Sequence, residues 1–392
     1  MRPLLFYLQA LTMIYIHIPF CRRKCTYCAF FSLAGQQEKD RYVDALCQEI
    51  ERRSRGYNTP VKTLYFGGGT PSQLSPQQLN RIVATLHRCF DLSHVAEATI
   101  EANPDDLTPQ YLQDIAALHI FNRISIGVQS FRDSDLLTIG RIHNSQQALQ
   151  AIDNAYRAGF DNITIDLIYG LPEQTVDDWQ QQLQLVEQLP IQHLSCYALT
   201  VEPHTILEQQ ISKGMIQPAT EATAIEQYNI LCQWAVDHGW EQYEVSNFCH
   251  AGHRSLHNSR YWKRTPYLGF GAAAHSFDGH SRRWNCSSLR QYCEGIEQQK
   301  QYYEEETLSP RDAFNEYMMT ALRTTAGIDK QTVNRLFAPY SDYLRQQLQP
   351  YLQSQLLIET ATAYQPTQQG LLHADGIASE LFILNDEETS LC

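Results

Sequence analysis

MIYIHIPFCRRKCTYC, residues 13–28, joins a short apolar run directly to three closely spaced cysteines. The apolar part predicts a buried β-strand that Pro19 closes. Cys21, Cys25 and Cys28 then follow in a CxxxCxxC pattern. Three thiolates on one loop can bind three irons of a [4Fe-4S] cube and leave the fourth iron open for a substrate or cofactor. The stretch therefore predicts an iron-sulfur site at the end of the first strand.

Two interpretations of these cysteines are open. Free cysteine is among the most buried residue types, so the three thiols could simply pack in a core. The loop also carries Arg22, Arg23 and Lys24, and nearby positive charge lowers the pKa of a thiol and favours the thiolate that binds metal. We therefore expect lowered thiol pKa values in this loop, and we favour the cluster.

Composition limits the kinds of partner that this chain can have. The chain has 392 residues, a hydrophobic content of 43% and a net charge of -13. This acidic balance argues against nucleic acid as a partner, because phosphate binding needs a basic face. The eleven cysteines are an odd number scattered along the chain, which argues against a secreted disulfide framework. We expect a cytoplasmic protein with one large and one smaller domain.

Residues 1–12 precede the predicted first strand and superficially resemble a signal peptide. They lack a small-residue cleavage site and run straight into the strand, so cleavage there would damage the fold. We expect residues 1–12 to be either a dispensable extension or the result of a mis-called start, with Met13, directly before the strand, as the native one. No other stretch is as long and apolar as a membrane span, so we expect a protein that does not cross a membrane.

Short β-branched runs alternate with helical patterns from the first strand to about residue 200. This alternation is typical of repeated βα units around a parallel sheet. Right-handed crossovers curl such units into a barrel, and six units rather than eight predict an open one. The predicted fold is α/β, an open (β/α)6 partial TIM barrel. Its predicted strands are 14–18, 63–66, 98–102, 123–128, 163–168 and 194–199, and its predicted helices are 39–54, 75–90, 108–118, 145–158 and 175–188.

Polar residues and glycines follow the predicted strands, at the edge of a barrel where ligands bind. Glu101, Gln129 and Asp166 each lie at or near a strand's end, where a polar group faces solvent or a ligand. The three glycines at 67–69 permit a close backbone approach to a ligand. For the glycines, ordinary turn chemistry is an equally good explanation.

Together these motifs resemble the radical S-adenosylmethionine superfamily, and within it the group like oxygen-independent coproporphyrinogen III oxidase. The resemblance spans the whole predicted barrel. It is carried by YIHIPFC (15–21), CxxxCxYC (21–28), YFGGGTPS (65–72), IEANP (100–104), SIGVQSF (125–131), Gly140-Arg141 and DLIYGLP (166–172).

The resemblance implies a [4Fe-4S] cluster on the three cysteines, with S-adenosylmethionine chelating the open iron through its amino and carboxylate groups. It implies that Glu101 accepts a hydrogen bond from the amino group or the ribose, and that Arg141 pairs with a carboxylate. Tyr27 would lie beside the cluster and the adenine. The positions that would line one or two S-adenosylmethionine sites are Tyr15, Gly68, Gly69, Thr70, Glu101, Gln129, Arg141, Asp166 and Ala198.

Two branches of this group differ at positions that can be read in the sequence. The coproporphyrinogen oxidases that the chain resembles have a fourth cysteine two residues after the third and a long N-terminal arm. Phe30 stands at that position here, and only residues 1–12 precede the predicted first strand. HNxxYW at 257–262 is similar to a motif of the other branch, the haem chaperone HemW, and YEVSNF (243–248) and GFGAAAHS (269–276) strengthen that match.

His257, Tyr261 and Trp262 are the haem-binding candidates in the HNxxYW motif. An imidazole can bind haem iron, and two flat aromatic rings suit the macrocycle. A buried histidine and aromatic pair that join the barrel to the next domain are an equally good explanation from the residues alone, and the resemblance favours haem. His275 is a second candidate.

The last part of the chain has a mostly helical pattern with a predicted hairpin at 356–366. We predict helices over 289–303 and 310–325, two more before residue 353, and one from Thr367. A winged-helix-like C-terminal domain fits this pattern and the family resemblance. The predicted boundaries are 13–245 for the barrel, 246–285 for a connecting segment and 286–392 for the C-terminal domain.

The functional hypothesis is a haem chaperone that binds haem, a [4Fe-4S] cluster and S-adenosylmethionine and transfers haem to an acceptor haemoprotein, such as a membrane-bound respiratory component. The alternative is a radical enzyme that acts on a porphyrinogen, and the missing fourth cysteine argues against it. Whether the protein is an enzyme stays open at this point. We expect a monomer or a dimer linked through an exposed cluster edge.

Overall fold

One mixed sheet of twelve strands dominates the computed structural model, which describes residues 13–35 and 38–384. The predicted extension at 1–12 lies outside the described residues. The strands are β1 (Met13–Ile18), β2 (Phe20–Cys21), β3 (Leu33–Ala34), β4 (Thr63–Gly68), β5 (Glu97–Ala102), β6 (Arg123–Gln129), β7 (Ile163–Tyr169), β8 (His193–Ala198), β9 (Glu241–Gln242), β10 (Asn247–Cys249), β11 (Tyr267–Phe270), β12 (His275–Phe277), β13 (Ser281–Asn285), β14 (Tyr303–Thr307), β15 (Ile328–Asp329), β16 (Leu357–Glu359) and β17 (Ala363–Pro366).

Six consecutive parallel strands form the centre of this sheet, in the order β1-β4-β5-β6-β7-β8. They are the six predicted strands, each shifted at its ends by no more than two residues. Their side chains are mostly buried, which is expected of a parallel sheet covered by helices. The predicted α/β architecture of six βα units is confirmed.

Helices follow the strands and cover the sheet. Several begin at a capping box, in which the side chains of Ser75, Asn144 or Thr175 and of the residue three positions later bond each other's backbone N–H. The helices are α1 (Lys39–Arg53), α2 (Pro76–Cys89), α3 (Pro109–Ala116), α4 (Asp133–Thr138), α5 (Ser145–Arg157), α6 (Val176–Val186), α7 (Ile206–Ser212), α8 (Glu221–Asp237), α9 (Leu256–Trp262), α10 (Leu289–Glu297), α11 (Pro310–Leu322), α12 (Lys330–Leu336), α13 (Ser341–Gln347), α14 (Gln349–Gln353), α15 (Gln368–Leu372) and α16 (Ala374–Glu380).

Residues 246–285 are part of the large sheet, and the prediction of a mere connecting segment is wrong. Strand β10 pairs antiparallel with β8, whereas β11 pairs parallel with β1 at the opposite edge of the six strands. Strands β12 and β13 extend the sheet beyond β11. These strands have at most five residues, too few for a periodic signal, and their partners lie far away in the sequence.

The predicted helix over 289–303 is too long. Helix α10 ends at Glu297, and 303–307 form the edge strand β14, paired with β13. Arg282 faces Glu306 and Arg283 faces Glu305 across this pair. Opposite charges directly across an antiparallel ladder stabilise it. The acidic residues 303–307 therefore form a strand because they pair with the basic residues of β13.

The C-terminal domain has its own hydrophobic core and a three-stranded antiparallel sheet, β15-β17-β16. The core begins at Phe314 on α11, whereas Tyr292, Cys293 and Ile296 on α10 pack into the core of the barrel. The boundary therefore lies near residue 308 rather than at 286. The predicted hairpin is present as β16 and β17. Within the described ranges, no helix is both long enough and apolar enough to cross a membrane.

Candidate functional site

The cysteine loop lies at the carboxyl edge of the parallel strands, where backbone hydrogen bonds fasten it. Thr26 donates its N–H to the carbonyl of Ile139 at 3.0 Å, and its own carbonyl accepts from Leu207 at 2.9 Å. The N–H of Cys28 bonds the carbonyl of Cys25 at 3.3 Å. The loop is thus held between the segments that follow β6 and β8. Its cysteines are half-buried, which suits a site that a small molecule must reach.

Polar side chains from other strand ends reach two of the thiols. The hydroxyl of Thr70 lies 3.4 Å from Sγ of Cys21, and Nη1 of Arg141 lies 3.4 Å from Sγ of Cys25. Nη2 of Arg141 also donates to Oδ1 of Asn103 at 2.7 Å and to the carbonyl of Gly127 at 2.5 Å. The structure therefore brings together residues that follow β2, β4, β5 and β6.

The expectation of lowered thiol pKa values is wrong for two of the three cysteines. Burial raises the pKa of both the Cys21 and the Cys28 thiols. The basic side chains of the loop are exposed, and Arg22 pairs with Asp105 at 3.2 Å and Asp106 at 2.9 Å. Solvent screens these positive charges, and the two carboxylates partly neutralise that of Arg22. The loss of water around the thiols therefore has the larger effect on their pKa values.

Two partly buried carboxyl groups, Glu101 and Asp166, lie on the parallel strands β5 and β7. Glu101 accepts from the hydroxyl of Tyr65 at 2.7 Å and from the N–H of Gly68 at 3.1 Å. Burial raises the pKa of Glu101 to about 7, and the nearby Asp166 adds to this rise. Burial likewise raises the pKa of Asp166 to about 6. Near neutral pH each can therefore accept or release a proton when a charged ligand arrives.

The glycines after β4 are explained by contacts within the chain. Gly68 has φ of +111°, and a Cβ there would lie 2.6 Å from the ring of His17. A Cβ on Gly69 would lie 2.9 Å from the carbonyl oxygen of Phe20. Only glycine allows β4 to end this close to the strand that leads into the cysteine loop. Packing accounts for both residues without a ligand.

The other predicted ligand-binding positions lie around the same barrel edge. Tyr15 stacks on Tyr65 with ring centroids 6.1 Å apart. Gln129 ends β6 with φ of +70°, an uncommon conformation for a residue other than glycine that often marks functional sites. Tyr27 packs against the apolar cluster that includes Ile139, and Ala198 is exposed at the end of β8.

Asn103 and Tyr65 are two further site residues that the sequence patterns alone do not single out. Asn103 bridges Arg141 to the hydroxyl of Thr70, to which it donates at 3.2 Å. Tyr65 holds the carboxylate of Glu101. Both residues lie inside the motifs YFGGGTPS and IEANP, so their places in those motifs were the available signal.

The donor set suits an iron-sulfur cube better than a single metal ion. Among the residues that the structure describes, no three His, Cys, Asp or Glu side chains are placed to hold one ion. A [4Fe-4S] cube does not need three side chains directed at one ion, because each thiolate binds a different iron. Nε of Arg141 is buried without a hydrogen-bond partner, so a donor beside Cys25 is left for a bound anionic group.

His257 lies on α9 and is completely buried. Its Nδ1 lies 2.9 Å from the hydroxyl of Thr63, and its Nε2 lies 3.1 Å from the hydroxyl of Tyr261. Its ring stacks on Tyr65, and its backbone N–H donates to the carboxylate of Glu97 at 2.9 Å. Both ring nitrogens are engaged, so this geometry favours the interpretation that His257 fastens α9 to the barrel.

Tyr261 and Trp262 complete this junction. The ring of Tyr261 packs edge-on against Tyr267 of β11. The guanidinium of Arg323, from the C-terminal domain, lies 5.5 Å from the ring centre of Trp262. Helix α9 also contacts α11. The HNxxYW motif thus lies where the barrel sheet meets the C-terminal domain, whereas His275 is exposed on β12.

We expect His257 to make the fold sensitive to acid. Burial lowers the pKa of His257 from 6.5 to about 3, so between these values the unfolded chain binds a proton that the folded chain does not. Its contribution is complete above about pH 6.5 and is lost as the pH falls toward 3. In urea unfolding between pH 5.5 and 4, His257→Asn should make the pH slope of stability shallower by about 1.4 kcal/mol per pH unit.

The control for this measurement is Asn258→Ala, on the same helix and without a titratable group. It should leave the pH slope unchanged even if it alters stability. A slope in His257→Asn as steep as in the original chain would contradict a buried, neutral His257.

The chain is similar in sequence to two family models and to several named proteins. Residues 15–186 match the family model described as the radical SAM superfamily, and residues 308–373 match the model of the HemN C-terminal domain. A protein of Bacillus subtilis (strain 168) named haem chaperone HemW is 37% identical over 321 residues, which cover 81% of this chain and 84% of that protein. A Lactococcus lactis protein of the same name is 32% identical and covers 97% of this chain and 99% of its own length.

The chain also resembles a solved structure, that of the coproporphyrinogen III oxidase HemN from Escherichia coli, a radical SAM enzyme. The TM-score is 0.83 at 24% sequence identity, and the match covers 97% of this chain and 93% of that one. At this identity the likeness bears on the fold alone. It extends over the barrel and the C-terminal domain together.

Proposed function

Because the chain belongs to the radical SAM superfamily, and within it to the family whose members are named haem chaperone HemW, we propose that it binds haem and passes it to an acceptor haemoprotein. The observation that carries the proposal is the extent of the similarity, with relatives of that name matching nearly the whole chain. The coproporphyrinogen oxidase alternative rests on likeness of fold, and one fold supports several activities.

As a radical SAM protein, the chain uses a [4Fe-4S] cluster and S-adenosylmethionine. When bound, this pair supplies a reducible cluster and a source of the deoxyadenosyl group. We propose that Cys21, Cys25 and Cys28 hold the cluster. Arg141 would stabilise negative charge beside Cys25, and Glu101 would accept a hydrogen bond from the amino group or ribose of S-adenosylmethionine.

Phe30 supports the choice of a carrier over an oxidase. It occupies the position where the oxidases that the chain resembles have a fourth cysteine, and it is 73% exposed. Leu137 and Ile206 are also exposed, on segments that hydrogen-bond Thr26 of the cysteine loop. An apolar rim of this kind suits contact with a porphyrin or a partner protein.

The acceptor, its location and the oligomeric state are further parts of the proposal. We infer that the acceptor is a haemoprotein, such as a membrane-bound respiratory component, and that the carrier works in the cytoplasm. The odd number of cysteines scattered along the chain supports that location, because it argues against a secreted disulfide framework. The exposed cluster loop would allow either a monomer or a dimer paired through it.

The test uses one anaerobically reconstituted sample for two assays. Titration with haem should reach about one haem per chain, because a chaperone must hold its cargo. Incubation with a reductant, S-adenosylmethionine and coproporphyrinogen III should give no protoporphyrinogen. Formation of protoporphyrinogen at enzymatic rates, or no haem binding at all, would overturn the proposal.

A further inference from the structure

Asn103 lies directly after β5, between two side chains that reach the cysteine loop. Its Oδ1 accepts from Nη2 of Arg141 at 2.7 Å, and its Nδ2 donates to the hydroxyl oxygen of Thr70 at 3.2 Å. Nη1 of Arg141 in turn lies 3.4 Å from Sγ of Cys25. The hydroxyl of Thr70 lies 3.4 Å from Sγ of Cys21. One amide group therefore connects the donors beside two of the three cysteines.

Each hydrogen bond around Asn103 can run in one direction only. A guanidinium donates and never accepts, so the amide oxygen of Asn103 must face Arg141. The amide nitrogen then faces Thr70, and the hydroxyl oxygen accepts this bond. A hydroxyl has one hydrogen, which an amide nitrogen cannot accept. The hydroxyl hydrogen of Thr70 is therefore left for the sulfur of Cys21.

The backbone of Asn103 is held in place by its own contacts. Its N–H donates to Oγ of Ser72 at 3.2 Å, and the hydroxyl of Ser72 donates to the carboxylate of Asp106 at 2.7 Å. Pro104 follows and disfavours the helical region for Asn103, whose backbone is extended with φ of -94° and ψ of 146°. The amide is thus fixed at the end of β5, and less conformational entropy is lost when its hydrogen bonds form.

Gly127 on β6 leaves room for these polar groups. A Cβ at this position would lie 3.0 Å from Nε2 of Gln129, 3.4 Å from Nη2 of Arg141 and 3.6 Å from Oδ1 of Asn103. The carbonyl of Gly127 also accepts from Nη2 of Arg141 at 2.5 Å. Two acceptors therefore fix the guanidinium, and its Nη1 stays beside Cys25.

Hydrogen bonds to the cysteine sulfurs help to set the reduction potential of an iron-sulfur cluster. Reduction adds one negative charge, so a donor beside a sulfur stabilises the reduced cluster more than the oxidised one. Thr70 and Arg141 therefore raise the potential as long as their hydrogens are directed at the sulfurs. Groups that orient such neighbours without binding the metal also tune metal sites.

We propose that Asn103 is a positioning residue that raises the reduction potential of the cluster, because it directs the hydroxyl of Thr70 and the guanidinium of Arg141 at two of the thiolate ligands. Asn103 acts through these two neighbours and is not itself a ligand. The inference rests on the proposed cluster in the cysteine loop, and it is independent of haem transfer.

The test is an EPR-monitored redox titration of the reconstituted protein without added S-adenosylmethionine. Asn103→Leu removes both amide contacts at nearly constant volume and should retain about four irons per chain. At a given solution potential, the ratio of reduced to oxidised cluster should fall about tenfold. This change corresponds to a potential that is about 59 mV more negative for a one-electron couple.

Variants of Thr70 separate a positioning effect from a merely structural one. Thr70→Val removes the hydroxyl and should also make the potential more negative, whereas Thr70→Ser keeps the hydroxyl and should match the original chain. The double variant with Asn103→Leu should shift the potential by less than the sum of the two single shifts, because both changes break the same contact.

Asn122→Ala is the matched control. This asparagine precedes β6 and bonds the N–H of Ala98 at 2.8 Å and the carbonyl of Ala96 at 3.0 Å, at the other end of β5. Its loss should leave the potential of the cluster unchanged, even if it lowers stability.

An unchanged potential in an Asn103→Leu protein with a full cluster would overturn the inference, as would single shifts that add in full. If Asn103→Leu binds no iron, Asn103→Val repeats the test with a smaller side chain that suits the extended backbone. Loss of iron from both variants would overturn the positioning role in favour of a structural one. Absence of a cluster from the original chain would overturn the proposed cluster site as well, and the haem titration would still test the carrier function.

Discussion

Replacing Cys25 by alanine is expected to abolish the iron-sulfur cluster. A cube on three thiolates loses one of its three protein ligands, and Arg141 loses the sulfur that lies 3.4 Å from its guanidinium. Iron content after anaerobic reconstitution should fall from about four per chain to near zero. The visible absorption of the cluster should disappear with it. Addition of S-adenosylmethionine should change the EPR signal of the original protein and produce no signal in the variant.

Cys47→Ala is the matched control, since this thiol lies on α1 and contacts the carbonyl of Arg81 away from the loop. It should retain the full iron content. Four irons per chain in Cys25→Ala would show that the ligand set is wrong. An EPR signal of the original protein that ignores S-adenosylmethionine would instead indicate a cluster that serves only the fold.

Replacing Glu49 by alanine is expected to lower the free energy of unfolding by about 3 to 5 kcal/mol. This carboxylate is completely buried and accepts four hydrogen bonds from different parts of the barrel. Its donors are Arg53 at 2.8 Å, Asn285 at 2.8 Å, the N–H of Gly271 at 2.8 Å and the hydroxyl of Tyr292 at 2.7 Å. The variant leaves all four donors without this partner, and a buried donor without a partner is expensive.

Urea unfolding of the reconstituted protein measures this change. Glu51→Ala is the control on the same helix, because Glu51 is about half exposed and pairs with Arg88 at the surface. A surface ion pair contributes little, so its loss should cost less than about 1 kcal/mol. Equal destabilisation by the two variants would contradict the view that Glu49 joins α1 to β13, to α10 and to Gly271, the residue after β11.

His257 and His275 differ in the contacts of their rings, which the sequence patterns do not predict. HNxxYW marks His257 clearly, yet Thr63 and Tyr261 occupy its nitrogens, and Thr63 comes from a strand nearly two hundred residues away. His275 belongs to a less distinctive motif, and its exposed ring stacks on Trp284, which lies opposite it in the β12–β13 pair. Which nitrogen is available is decided by packing between distant segments.

The thiols give a second example. The basic residues beside Cys21 predict a lowered pKa, but they point into solvent and Arg22 pairs with two aspartates. Burial then raises the pKa of Cys21. The sequence determines which charged residues are adjacent to a thiol. How far water reaches that thiol depends on the folded barrel.

The sequence by itself determined the six βα units, the position of the cysteine loop after the first strand, and the family. These are local features, because a strand, a helix and a ligand spacing each depend on residues that are close together in the sequence. Only the tertiary structure decided that 246–285 complete the sheet, that Glu49 is a buried junction, and that Asn103 contacts two side chains beside the cysteines. Short strands and buried polar contacts are stabilised by partners that are far away in the sequence. They therefore cannot be predicted from a local sequence pattern.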